Sequence, residues 1–278
     1  MIRFGVVLIT EGCSRTEWMD KCRRAEALGY DVVAVPDHLN LLAPFPCAVL
    51  AAEATTRPRI GTYVLNSSFY LPALLARDVA TTAQLLGDRL ELGLGTGYVK
   101  AEFEKAGIPF GTASSRADRL ESLVKELDAA LGESAPPLMI GGHGDRILRL
   151  AAQRARTVSF TGAPYRAEYG RTALVDADAL AERVAFVRAE AGGREPELNL
   201  LPKATVLTRE RRAGLESLRR YAPDLTAEQL AEVPTLLVGT PAQLAEQVLR
   251  DSERYGFAYF TVTEAAMEDF GKVIERLR

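Results

Sequence analysis

The stretch RIGTYVLNSSFYLPALLARDVATTAQLLGDRLELGLG, Arg59 to Gly95, decides how the chain is read. It opens on a β-prone run, Arg59–Leu65, and passes into an apolar-faced helical pattern from Leu71 that Gly87 stops after Leu86. It closes on a second strand-like run, Arg89–Gly95. Two strands too apolar for either face to be wet, joined by a helix, read as a parallel pair covered on both sides.

The same alternation extends in both directions. Upstream, Ile2–Ile9 is a strand. Ser14 and Glu17 make a capping box, and Trp18, Cys22, Ala25 and Leu28 share a helical face until Gly29. Val32–Val35 is the second strand, followed by a helix over Phe45–Ala54. Downstream, Ser115 and Asp118 open a helix to Leu131. PPLMI (136–140), TVSF (157–160), ELNLLPKATVL (197–207) and AYFTV (258–262) are strands five to eight. Helices are expected over Asp145–Gln153 and Asp176–Ala191, from Thr240-Pro241 to near Gly256, and at the C-terminus; Arg209–Pro234 is the least regular region. Eight evenly spaced strands, each followed by a helix and with no Gly-rich break, predict an α/β fold: one (β/α)8 TIM barrel domain over residues 1–278.

Composition narrows the function classes. With 47% hydrophobic and 26% charged residues and a net charge of −3, the chain carries no electrostatic footprint for nucleic acid. Three cysteines without CxxC spacing argue against a disulfide framework or zinc site, so no metal is expected and a reducing interior is the default. MIRFGVVLIT lacks a signal-peptide pattern, and no segment approaches the roughly 18 apolar residues of a membrane span. The expectation is a cytoplasmic enzyme acting without a membrane or nucleic acid.

In a barrel of this kind, chemistry lies at the C-terminal ends of the strands. His38, one of two histidines, follows strand two beside Asp37, which can fix its tautomer. Strand three ends in Asn66, Ser67 and Ser68, which equally suit a turn. Strand four ends in Gly93, Gly95 and Gly97, a GxGxG run that reads either as a weak nucleotide-loop signal or as a place where a flat body approaches the backbone too closely to allow side chains. Strand five runs into Gly141, Gly142, His143 and Gly144 before a helix, either a tight turn or an anion cradle to which His143 or Arg146 adds charge. Thr161 follows strand six.

The segments AEALGYDVVAVPDHL, Arg59–Phe110, PPLMIGGHGDRILRLAAQRA and VGTPAQLAEQVLRDSERYGFAYFTV resemble the luciferase-like flavin and deazaflavin oxidoreductases, in particular the coenzyme F420 branch. The resemblance implies a (β/α)8 barrel with the cofactor at its mouth. It places a proton donor or acceptor at His38 and a ring-backing bulge, often with a non-prolyl cis peptide, at Tyr63 and Val64. Cofactor contacts are implied at Asn66 and at Gly95, Thr96, Gly97 and Tyr98, with a phosphate loop at Gly141–Gly144 and Thr161 beside it. Where related members carry an acid or tryptophan this chain has Tyr98, and FRHP reads FYLP, with Tyr70 replacing a charge. The family's insertion before strand five is cut to GESAPP, which predicts an open cleft lined by Tyr63, Phe69, Tyr70, Tyr98 and Phe110.

The implied activity is F420H2-dependent reduction of an activated C=C or C=N bond in a bulky natural-product or dehydroamino-acid peptide substrate. Two alternatives stay open: an FMN-dependent monooxygenase, and a barrel that binds cofactor without catalysis. A homodimer is a further expectation.

Overall fold

The computed structural model describes residues 1–161, 165–166, 171–172, 174, 176–222 and 224–278. The first half runs β1 (Arg3–Val7), α1 (Arg15–Ala27), β2 (Val32–Val35), α2 (Pro44–Ala54), β3 (Arg59–Thr62), β4 (Leu65–Asn66), α3 (Pro72–Leu86), β5 (Leu90–Gly95), α4 (Lys100–Lys105) and α5 (Ala113–Leu131). Then come β6 (Leu138–Gly141), α6 (Asp145–Arg154), β7 (Thr157–Phe160), the short antiparallel pair β8 (Tyr165–Arg166) and β9 (Arg171–Thr172), and α7 (Ala177–Glu190). The last part holds β10 (Glu197–Leu200), β11 (Ala204–Leu207), α8 (Arg211–Ser217), α9 (Ala227–Glu232), β12 (Leu236–Gly239), α10 (Pro241–Tyr255), β13 (Phe257–Thr263) and α11 (Met267–Leu277).

The staves are parallel and close on themselves. β1 pairs with β2 and β13, β2 with β3, β3 with β5, and β5 through β6, β7 and β10 back to β13. β4 continues β3 against the end of β5 after a cis peptide between Tyr63 and Val64. This is the expected eight-staved barrel. Its main apolar core lies between staves and helices, where Trp18, Cys22 and Ala25 of α1 are buried. The Ser14–Glu17 capping box starts α1 as its sequence predicts. The N-terminal end of the lumen is plugged by charge: Arg3 bridges Glu91 (2.8 Å) and Glu197 (2.9 Å), and Arg59 reaches Glu91 at 2.7 Å. The chemistry is left to the opposite end.

Three expectations are corrected. The seventh strand is two strands: Leu201 N–H still donates to Phe160 of β7, but Lys203 N–H donates to Thr235. Pro202 between them has no N–H for the ladder. β11 therefore leaves the barrel and pairs with β12, and with α8 and α9 it builds a second apolar cluster around Leu215, Leu218, Leu230, Val233 and Leu236. The helix expected from Ser115 starts at Ala113 with Thr112 as its cap and Ser115 closing the capping box. Short α4 lies where no helix was expected. The connection before β6 is short, with α5 ending at Leu131 and β6 starting at Leu138, and because it leads from a helix into the start of a stave it lies at the N-terminal end of the barrel, away from the mouth.

Candidate active site

His38, Asp37, Tyr63, Val64, Asn66, Gly95–Tyr98, Gly141–Gly144 and Thr161 all lie at or just beyond the C-terminal ends of β2, β3, β4, β5, β6 and β7, around one barrel mouth. The partner of His38 differs from the sequence expectation. Its Nδ1 lies 3.0 and 3.2 Å from the two carboxylate oxygens of Glu102 on α4, and Leu39 N–H donates to the same carboxylate at 3.2 Å. A carboxylate only accepts, so Nδ1 carries the hydrogen and Nε2 is left for proton exchange. The Tyr98 ring stands edge-on to the imidazole, centroids 6.2 Å apart.

Asp37 does not touch that pair. Its Oδ2 accepts from Asn66 N–H at 2.9 Å and from the Tyr70 hydroxyl at 3.1 Å, clasping the loop after β2 to the loop after β4. Desolvation raises the Asp37 carboxyl above its ordinary value, opposed by these two hydrogen bonds and by His38. Neighbours in an extended segment project to opposite sides, so adjacency in sequence is poor evidence of contact.

The bulge gives two adjacent residues, both packed on the Val32–Met139–Tyr259 cluster, different partners. Tyr63 turns into the lumen. Its hydroxyl lies 2.6 Å from Ser159 Oγ and 3.0 Å from Asn199 Oδ1, and the Asn199 amide donates onward to Thr261 Oγ1 at 2.8 Å and the Tyr259 carbonyl at 3.2 Å. Tyr63 thus braces the bulge from below, and its hydroxyl belongs to this lumen network instead of the cleft. Val64 lies over the ends of β5 and β6: a Cβ on Gly95 would sit 2.7 Å from Val64 Cγ2, and one on Gly141 3.6 Å from Cγ1. A Cβ on Gly93 would strike the Thr62 carbonyl. The glycines of β5 therefore admit the neighbouring strand itself. Gly97 has φ +70° and lies against the Asn66 amide, whose Oδ1 accepts from Ser68 N–H at 3.1 Å. Gly is required there twice over, by conformation and by contact.

The loop after β6 opens the N-terminus of α6, where backbone N–H groups lack helical acceptors. Its two central glycines differ. A Cβ on Gly142 would collide with Ile147, so that position is needed for packing, whereas one on Gly144 would meet nothing within 4 Å. Arg146 is turned away, paired with Asp118 at 2.6 Å and with Glu121. A second cation at this helix start is Arg183 of α7, paired with Asp145 and Glu182. Thr161, half-buried, follows β7.

Of the aromatic residues expected to line a cleft, Tyr63 turns its hydroxyl into the lumen, Tyr98 is exposed, and Phe69, Tyr70 and Phe110 are half-buried. Phe103 of α4 is fully buried between Phe69 (5.5 Å) and Phe110 (5.0 Å), and Arg116 stacks on Phe110 at 4.0 Å. This column anchors α4 and so sets where Glu102 stands. Glu102, Phe103, Ser159, Asn199 and Arg183 are the residues the sequence reading missed; its one usable signal was the AEF triplet within GYVKAEFEKAG, apolar Phe103 beside an acid. Among the described residues no cluster of three or more His, Cys, Asp or Glu could hold a metal, and no helix is long and apolar enough to cross a membrane.

Comparison with known proteins adds to this geometry. The chain is 25% identical over 224 residues to an uncharacterized protein of Mycobacterium tuberculosis, covering 65% of this chain and 74% of that one. It is 36% identical over 132 residues to the F420-dependent glucose-6-phosphate dehydrogenase of Kribbella flavida, covering 44% and 40%. Among solved structures, an F420-dependent secondary alcohol dehydrogenase in complex with an F420-acetone adduct superposes with a TM-score of 0.76 at 17% identity, over 100% of this chain and 99% of that one. The family model for luciferase-like monooxygenases matches residues 2–259 of the 278, and the chain belongs to that family.

Proposed function

We propose that the protein is a coenzyme F420-dependent oxidoreductase that reduces an activated C=C or C=N bond in a bulky organic substrate, such as a natural-product intermediate or a dehydroamino-acid peptide. The observation that carries this reading is the His38–Glu102 pair at the barrel mouth. It is supported by the F420-dependent enzymes among the relatives and structural neighbours. The fit of the site to a flat cofactor with a phosphate tail rests on Val64 as a floor over Gly95 and Gly141, and on open space at Gly144 in front of α6. Asn66, Gly95–Tyr98, Gly141–Gly144 and Thr161 would hold the cofactor.

Bound F420H2 supplies a hydride. His38 supplies the matching proton from Nε2 to the substrate atom that gains electron density, and Glu102 keeps Nδ1–H engaged and stabilises the imidazolium when the ring is recharged. Substrate oxidation would run the same transfers backwards, with Nε2 accepting. Asp37 and Tyr63 hold the platform and take no part in proton transfer.

The test is a fluorescence-quenching titration with F420 and with FMN. Tenfold or tighter preference for F420 is expected. FMN binding of equal or greater strength sends the reading to a monooxygenase, the activity in the family's name. Tight cofactor binding with no oxidation of F420H2 across a panel of enones, imines and dehydroalanine peptides indicates a non-catalytic barrel.

A further inference from the structure

From exposed apolar side chains in the loops at the barrel mouth we infer an apolar substrate subsite on its β1–β2–β5 side, built from Ile9, Leu39, Leu42 and Tyr98. It takes the neutral hydrocarbon or aromatic flank of the substrate and rejects anions. The inference rests on the proposed reductase reading for the site's location and goes beyond it in naming the substrate's chemistry.

Ile9 is 38% exposed, Leu39 37%, Leu42 44% and Tyr98 71%. Each sits in a loop following the C-terminal end of β1, β2 or β5, and the loops are stitched together. Leu42 N–H donates to Thr10 Oγ1 at 2.9 Å, and the Asn40 amide donates to Glu11 at 3.1 Å. Leu39 N–H is held by Glu102, and Tyr98 stands against His38. Ile9 N–H donates to Glu264 at 2.6 Å, and Lys21 holds the Ile9 carbonyl at 2.9 Å. Every one of the four apolar residues is therefore within one residue of a fixed contact. Apolar side chains held in water by a rigid backbone lose little on binding an apolar group, because the ordering is already done.

The charges nearby are engaged or of the wrong sign for an anion. Lys21 is paired with Glu264 at 2.7 Å, Lys100, two positions beyond Tyr98, faces Glu104 at 3.5 Å, and the side-chain acceptors in these contacts, Glu11 and Glu102, are acids. A phosphate or carboxylate would meet negative charge here.

The experiment measures binding and turnover separately. Wild-type protein without cofactor is examined by saturation-transfer NMR against cyclohexenones carrying alkyl chains of increasing length and a carboxylated analogue. Affinity rising about fourfold per buried methylene is expected, with no binding of the carboxylate. In Leu42→Asp and Ile9→Asp the chain-length dependence should flatten, while cofactor affinity and the sedimentation coefficient stay unchanged. An unchanged slope in both variants, or carboxylate binding as tight as the neutral ligands, overturns the subsite. Dissociation of an oligomer in Leu42→Asp with the slope intact assigns the patch to a second copy instead, and overturns it too. Turnover of F420H2 with the same enones reports on the parent reading alone: chain-length-dependent binding without turnover sinks the reductase and keeps the subsite.

Discussion

His38 and Glu102 are 64 positions apart, and the hydrogen bond between them carries more of the proposed chemistry than any neighbour in sequence. His38→Ala should lower turnover by roughly 10²–10⁴-fold and leave cofactor affinity nearly unchanged. Glu102→Gln should lower kcat without changing KM, because an amide can engage Nδ1 but cannot stabilise the imidazolium. Asp37→Asn should keep kcat near wild type, since Asp37 holds Asn66 and Tyr70 and not the imidazole. Steady-state kinetics decide among them: an Asp37→Asn loss exceeding that of Glu102→Gln would reverse the two assignments. Cysteine chemistry gives an independent check at this scale. Burial pushes the Cys22 thiol up to about 12 and the Cys47 thiol up to about 11, whereas Cys13 is partly exposed. One thiol should react with an aromatic disulfide reagent in the native protein and all three in denaturant. Fast reaction of a second thiol in the native state contradicts the packing of α1 on α2.

Between elements, the turn from β6 to α6 separates packing from binding. Gly142→Ala drives a Cβ into Ile147 and should lower the melting temperature; Gly144→Ala places one in open space and should leave it unchanged. If this turn cradles a phosphate, Gly144→Val should still weaken cofactor binding several-fold. Normal binding by that folded variant would move the phosphate elsewhere. The cap and breaker signals placed most helices well, as at Ser14, Gly87 and Thr240, because a cap is a local hydrogen bond between near neighbours. They failed where Pro202 broke a strand and sent its second half to another sheet. Nothing within ELNLLPKATVL says that Thr235 waits to pair with Lys203.

For the whole molecule, Asp251 offers a test of the seam between α10 and the β11–β12 sheet. It is buried, held by Gln247 at 3.4 Å, while Gln247 also donates to the Leu236 carbonyl at 3.1 Å. Desolvation pushes its carboxyl up to about 6. The folded state therefore holds this proton more tightly than the unfolded chain. The associated stability is full below about pH 4 and lost as pH rises through about 6. Asp251→Asn should be more stable than wild type by about 3 kcal/mol at pH 8 and similar to it near pH 4. Urea melts at the two pH values check this, and a pH-independent difference would show that ionisation is not the cause.

Sequence alone determined the order of the eight barrel staves and most of the helices between them, the closed parallel architecture, and the collection of unusual residues at strand C-termini. Those features follow from periodicity and caps, which act over a few residues. It also marked His38, because a titratable ring after a buried strand stands out by type. Tertiary structure decided the partner of His38, the hydrogen bonding of Tyr63 inside the lumen beside Val64 over the ends of β5 and β6, the packing role of Gly142, and the packing of Phe69 and Phe110 on Phe103. The first two depend on which residues barrel closure brings face to face, His38 and Glu102 from 64 positions apart and Tyr63 and Asn199 from 136 apart. Local pattern carries no record of that register; the packing of the staves sets it.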